Sequence, residues 1–237
     1  MAIEVLQVKA QIEQARDELR NRGLSCMSSK IVHLANRLGF HRWPVVGDAT
    51  KSWDVLKSAT FIEKNIAVGD PILDIGSFAS EILCILHRLG YNNLTGLDLN
   101  PQITHMPFAD SIRYVISDFM HTPFENGAFH VITSISVIEH GFNCLSLLSE
   151  ISRLLRPGGY FIASFDYWPQ KIDTAGIRPF GMDWSIFSEQ DIHIFLRRAE
   201  EYGLSCIGDS HFTASEPTVS WQGKSYTFAW LSMQKRG

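Results

Sequence analysis

Asp74 and Asp98 each close a short apolar run, Pro71-Ile-Leu-Asp74-Ile-Gly-Ser77 and Leu94-Thr-Gly-Leu-Asp98-Leu-Asn100, and 24 positions separate the two acids. A carboxylate fixed at the end of a buried run can accept from both hydroxyls of a ribose diol. Farther along, Glu139-His140 and Asp166 follow two more apolar runs. Histidine titrates close to neutrality and suits proton transfer, and a nearby carboxylate suits orienting it or holding a hydroxyl. These types at this spacing predict a nucleoside-containing cofactor gripped by acids, with an acid–base group on the same rim.

The elements between the acids support that placement. Glu81 to Leu89 carries Ile82, Leu83, Ile85, Leu86 and Leu89 at helical spacing, so the segment reads strand, turn, helix, strand. A parallel βαβ unit puts both strand ends on one crevice. The turn Gly76-Ser-Phe-Ala-Ser80 has a single glycine, whereas a dinucleotide pyrophosphate needs G-x-G-x-x-G, and no Walker loop occurs. S-adenosylmethionine carries no phosphate and needs only one close backbone approach.

In this order the pieces resemble class I S-adenosylmethionine-dependent methyltransferases of the small-molecule type. Asp74-Ile-Gly76 looks like the first motif, D-x-G-x-G-x-G, with its second and third glycines replaced by Phe78 and Ser80. Tyr114-Val-Ile-Ser-Asp118-Phe119 looks like the third strand, Phe129 to His140 like the fourth, and Leu154-Leu-Arg-Pro-Gly-Gly-Tyr160 like the turn into the fifth. The resemblance implies an α/β, Rossmann-like three-layer αβα sandwich with a seven-stranded, mostly parallel sheet whose last strand is antiparallel. It also implies roles. Gly76, with Ser77 beside it, admits the methionine portion of S-adenosylmethionine, and Asp74 reaches its ammonium. Asp98 binds the ribose, Leu99 packs on the adenine, Asp118 and Phe119 meet its amino edge and ring, and Ser134 meets the amino-acid end. After transfer the cofactor becomes S-adenosylhomocysteine.

Methyl transfer from a sulfonium is an in-line displacement, so positioning dominates. A hydroxyl acceptor also needs a base, for which His140 is the candidate, with Asp166 and Glu139 as its partners. Relatives that methylate nucleobase or amide nitrogens carry N-P-P-[YF] where this chain has Thr133-Ser-Ile-Ser136. That class is disfavoured, and the small size, acidic pI and the aromatic, acid-rich loop from Asp166 to Trp184 favour a small polar metabolite, so the expected reaction is O-methylation of a sugar or of a glycosylated or polyketide-like metabolite. N- or C-methylation of a small molecule, and a non-catalytic binding protein of the same fold, stay open. The aromatic, acid-rich segment from Asp166 to Trp184 follows a strand and is too long for an ordinary connection. It reads as an acceptor loop in which Tyr167, Trp168 and Trp184 stack and Asp166, Asp173 and Asp183 hold hydroxyls. The link from His211 to Lys224, with Trp221, is a second candidate for that side.

Composition sets the remaining bounds. A chain of 237 residues suits one α/β domain with additions, and a formal charge of −4 gives no footprint for nucleic acid. Four scattered cysteines suit free thiols, and no apolar run is long enough to span a membrane, so a cytoplasmic protein is expected. No metal ligand set is assigned, since the histidines lack paired spacing. Residues 1–50 read as an N-terminal helical cap and 51–237 as the methyltransferase domain. Within the cap, one helix is expected from Val5 to Gly23, a second over 29–38 and a turn at His41-Arg-Trp-Pro44. The amphipathic first helix makes a homodimer reasonable.

Overall fold

The computed structural model describes residues 2–29, 31, 32, 34, 38, 39 and 44–237. The chain opens with a strand, β1 (Ile3–Val5), and then a helix, α1 (Ala10–Asn21), whose Ile12, Ala15 and Leu19 are buried. Ile3 and Val5 alternate with Glu4 and pair antiparallel with the last strand, Ile3 opposite Leu231. The helix expected from Val5 therefore starts five residues later, and residues 3–5 lend the sheet an edge strand. The second helix and the turn expected over 29–44 fall mainly on residues outside those described.

A single turn, Ala49–Lys51, capped by Asp48, leads into α2 (Ser52–Asn65). There follow β2 (Ile72–Ile75), α3 (Ile82–Arg88), β3 (Leu94–Asp98), β4 (Arg113–Ile116), β5 (Phe129–Ile135), α4 (Cys144–Leu154) and β6 (Leu155–Tyr167). The chain ends with α5 (Glu189–Glu201), β7 (Leu204–Cys206), β8 (Val219–Trp221) and β9 (Lys224–Lys235). Strand order is β1-β9-β6-β5-β2-β3-β4, with β7 and β8 pairing on β9. The run from β6 to β4 is parallel, and β9 lies antiparallel to β6. The expected class and antiparallel last strand hold. The described sheet has nine strands rather than seven, because β1 and β8 join it.

Side-chain alternation builds the layers. Leu73 and Ile75 of β2 pack with α4 and α5 through Leu147, Ile151 and Phe195, while Ile72 packs on the opposite face with Val55, Ile62, Ile82 and Ile85. Helix α5 starts in a capping box, with Ser188 accepting from the Asp191 N–H and Asp191 accepting from the Ser188 N–H. The crossover helices switch faces at β2, so the carboxyl ends of β2 and β5 flank the crevice where open α/β sheets bind ligands.

Candidate active site

A cavity of about 460 Å³ opens at that crevice. One wall is the turn after β2, Gly76 and Phe78 to Glu81; the floor is Ser136, Glu139 and His140 after β5, with Asp166 of β6. The remaining wall joins the start of α2 (Lys51, Val55) to Phe180, Trp221, Tyr226 and Phe228. Glu139, His140 and Asp166 are thus brought together as the sequence expects.

The turn is built tightly. Gly76 has φ +70°, and a Cβ there would overlap Val137, so the position excludes a side chain on two counts. Ala79 and Ser136 also sit at positive φ, 62° and 53°, and both line the cavity, which places backbone strain at the site. Phe78, where the motif has a second glycine, turns partly into a cluster with Val46, Cys84, Ile103 and Met106, and so closes the turn without filling the cavity.

Asp74 has a different part from the one expected. It is 1% exposed, accepts from Thr133 Oγ1 at 2.7 Å and does not line the cavity. Burial pushes its carboxyl up to about 7. It braces the turn from beneath, and Ser77 and Ser134 are likewise buried off the cavity wall, with Ser136 facing the cavity instead. Asp98 is half-buried at the end of β3 and, like Leu99, Asp118 and Phe119, is not among the residues lining the cavity; its two oxygens accept from the Phe78 N–H at 3.0 Å and the Asn100 N–H at 2.8 Å. Beside it Leu99 is 62% exposed, and Asp118 and Phe119 lie half-buried after β4.

The acceptor loop is the larger correction. Tyr167 is the last residue of β6 and fully buried, its hydroxyl donating to the Phe212 carbonyl at 2.6 Å. Trp184 is 2% exposed and donates its indole N–H to Asp166 at 2.8 Å. Trp168 packs half-buried against the cluster of Leu6, Trp184 and Phe228, while Asp173 and Asp183 are exposed and off the cavity wall. The loop is a support laid over the site, tied down where the Ser185 N–H donates to the Glu139 carbonyl and the Phe187 N–H to that of Asp166. Tyr167→Phe is accordingly expected to cost about 1 kcal/mol of stability by stranding the Phe212 carbonyl. Denaturant unfolding measures that loss, and cofactor affinity should stay unchanged.

The floor is electrostatically unusual. Asp54 of α2 is fully buried, accepts from Ser164 Oγ at 2.9 Å and is pushed up to about 6 by burial. Glu139 is 1% exposed, and neither of its carboxylate oxygens has a hydrogen-bond partner among the described residues. Burial, and then the charge of Asp166, raise it well above the ordinary carboxylate range. Burial also lowers His140, so its imidazole is neutral at physiological pH. Among the described lining residues Lys51 is the one ammonium, 3.7 Å from Asp166 Oδ1 and 3.5 Å above the Phe228 ring. Sequence reasoning missed Lys51, Asp54, Tyr226 and Phe228. A signal existed for Asp54: it lies on the face that buries Val55 and Ser58, where an acid has no packing purpose. No group of three or more candidate metal ligands occurs among the described residues.

Comparison with known proteins adds the lineage. Residues 73–163 match a family model described as a methyltransferase domain. A sterol 24-C-methyltransferase of Pneumocystis carinii is 29% identical over 114 residues, 45% of this chain and 30% of that protein. One from Yarrowia lipolytica is 32% identical over 104 residues, 40% of this chain and 27% of its own. The chain thus spans less than a third of the length of these curated relatives. Among solved structures, the geranyl diphosphate C-methyltransferase of Streptomyces coelicolor A3(2) superposes with a TM-score of 0.58 at 16% identity, covering 95% of this chain and 97% of that one. The 1,6-didemethyltoxoflavin-N1-methyltransferase of Burkholderia thailandensis gives the same score at 16% identity, covering 78% and 79%. At such identities the likeness is one of fold. No described helix is long and apolar enough to cross a membrane. Sheet order, the ordered strand-end acids and the matched segment converge: residues 73–163 match a methyltransferase domain, set in a sheet with the fold of class I S-adenosylmethionine-dependent methyltransferases.

Proposed function

We propose that the protein transfers a methyl group from S-adenosylmethionine to a small acceptor held over Glu139, His140 and Asp166. One observation carries this reading: a single cavity joins the Gly76–Glu81 turn to that floor. The residues fit the cofactor, with Gly76 for close approach, half-buried Asp98 at the end of β3 and Asp118 after β4 for ribose and adenine amine, and exposed Leu99 awaiting an apolar cover. When bound, S-adenosylmethionine supplies an activated methyl; the chain's own work is alignment and charge.

A carbon nucleophile is the first choice of acceptor. The aromatic wall of Phe180, Trp221, Tyr226 and Phe228 suits an apolar molecule. An electron-rich carbon gains positive charge as it takes the methyl, and buried carboxylates beside aromatic faces stabilise such charge. The sterol and terpene C-methyltransferases among the relatives support the same choice. O-methylation of a sugar or polyketide-like hydroxyl is the second reading, favoured by the neutral imidazole of His140 on the floor. In either case we assign the released proton to His140, an assignment supported by its neutral ring on the cavity floor and by Asp166, which is held by Trp184.

The test offers methyl-labelled cofactor with unsaturated terpenoid or sterol acceptors and with hydroxylated sugars or polyketides. Magnetic resonance of the product tells a carbon-bound methyl from an oxygen-bound one. His140→Ala is expected to slow turnover by about 10²–10⁴ with cofactor affinity unchanged. Full activity in both His140→Ala and Asp166→Asn would end the acid–base assignment.

A further inference from the structure

We propose that the floor of the cavity is a proton-exchanging cation site: Glu139 gives up its proton when a sulfonium or quaternary ammonium group binds, and takes it back when that group leaves. The inference deepens the methyl-transfer reading and rests on it for the identity of the sulfonium.

Three buried acids, Asp54, Glu139 and Asp166, meet one ammonium, that of Lys51. Lys51 is already engaged with Asp166 and the Phe228 ring, so its contact displays how this pocket holds a cation: a carboxylate on one side, an aromatic face on the other. Glu139 shares that floor, yet among the described residues no cation is within ion-pair distance of its oxygens. Both of its oxygens are unpartnered among the described residues, it lines the cavity, and the ring of His140 makes edge contacts with Phe180 and Trp221 at 5.7 and 6.3 Å. A buried carboxyl in that position stays protonated rather than carry an unpaired charge. A cation beside it reverses the preference.

The groups facing Glu139 are Asp166 of β6, Lys51 and Asp54 at the start of α2, His140 next in the chain, and Tyr226 of β9, which burial and the nearby acids keep protonated. His140 is neutral, and Glu139 is buried on the floor with both oxygens unpartnered among the described residues, so it is the acid that holds a proton in the free protein. The exchange balances: cation plus carboxylic acid gives the cation–carboxylate pair and one proton to solvent. Because Glu139 is raised in the free protein, cation affinity climbs with pH below that raised value, at most about tenfold per unit, and levels off above it. Methyl transfer carries the positive charge from sulfur to acceptor, so the ionised carboxylate serves both sides of the reaction. A thioether left behind does not hold it.

Isothermal titration at neutral pH in phosphate and in Tris, whose ionisation heats differ, reads the proton directly. Three ligands separate the sources: S-adenosylmethionine, S-adenosylhomocysteine, and tetramethylammonium added in the presence of S-adenosylhomocysteine. The expected result is release approaching one proton with S-adenosylmethionine and with tetramethylammonium, less with S-adenosylhomocysteine, and its loss in Glu139→Gln. Because the wild-type buffer comparison needs no variant, the folding of Glu139→Gln does not decide the matter. Binding of both cofactor forms with identical heats in the two buffers overturns the cation site and leaves the cofactor reading intact. Failure of both cofactor forms to bind, with proton release on tetramethylammonium alone, overturns the cofactor reading and keeps the site. Proton release undiminished in Glu139→Gln removes Glu139 from the proposal and overturns it.

Discussion

Glu81→Ala is expected to destabilise the protein by about 3–5 kcal/mol, the usual cost of leaving one member of a buried ion pair alone. Arg16 and Glu81 are 4% and 2% exposed, and the guanidinium meets the carboxylate in a fork at 3.1 and 2.9 Å. The pair is a junction of separate segments. Arg16 comes from α1 and also donates to Ser52 of α2 at 2.8 Å; Glu81 begins α3 and also accepts from the Cys26 N–H at 2.6 Å. Without Glu81 a buried guanidinium loses its counter-charge and keeps only serine hydroxyls, and the Cys26 N–H loses its acceptor, while removal of both charges with shape kept, Arg16→Met with Glu81→Leu, loses much less. The expected fall in melting temperature for Glu81→Ala is on the order of 10 °C. The exposed Arg20–Asp17 pair, at 62% and 68% exposure, is the control, and Arg20→Ala should change little. Cofactor affinity should fall alongside stability, since Glu81 ends the cavity-lining turn and ties it to the N-terminal segment. Should Glu81→Ala melt within about 2 °C of the parent, water must reach Arg16 and the junction is looser than its geometry.

What the sequence made readable, and what it hid, follows from how locally each feature is encoded. The runs of β2, β3, β5 and the later part of β6 are predominantly apolar because both faces of a parallel sheet are covered, and polar residues follow or close them at the crevice. That is why His140 and Asp166 could be expected at one crevice, where both line the cavity. The capping box at Ser188 needs only four consecutive residues. By contrast, the alternation in β1 is three residues long and merges into the helical spacing of Val5, Val8 and Ile12. Tyr167 looked like a loop residue because strand ends are poorly marked; β6 runs two residues farther than Phe165, and alternation then turns the ring inward. Trp184 was read as a stacking platform, yet its distinguishing atom is the indole N–H, whose partner Asp166 lies 18 positions away. The Glu139–Asp166–Asp54 floor joins three separate elements, so no spacing along the chain announces it.

Asp98→Ala is expected to weaken binding of S-adenosylmethionine and S-adenosylhomocysteine by on the order of a hundredfold or more. Two hydrogen bonds from ribose hydroxyls to a carboxylate are worth about 1.5–3 kcal/mol each. The residue has a second duty that must be separated from the first: it accepts from the Phe78 and Asn100 N–H groups and so shapes the turn that lines the cavity. Asp98→Asn keeps one oxygen for such a donor but loses the charge, and should fall between the parent and Asp98→Ala. Asp118, which accepts from the Met120 N–H at 2.9 Å and is assigned a single adenine contact, sets a smaller expectation, about tenfold for Asp118→Ala. The ligand can be altered as well as the protein. An S-adenosylhomocysteine lacking both ribose hydroxyls should bind the parent as weakly as Asp98→Ala binds the intact ligand, and the two losses should not add, because each removes the same interaction. Full additivity, with Asp98→Ala melting lower than the parent, would assign the carboxylate to the turn alone. The ribose would then be held by other groups on the rim, and the affinity lost in Asp98→Ala would trace to a displaced Phe78 rather than to a missing acceptor.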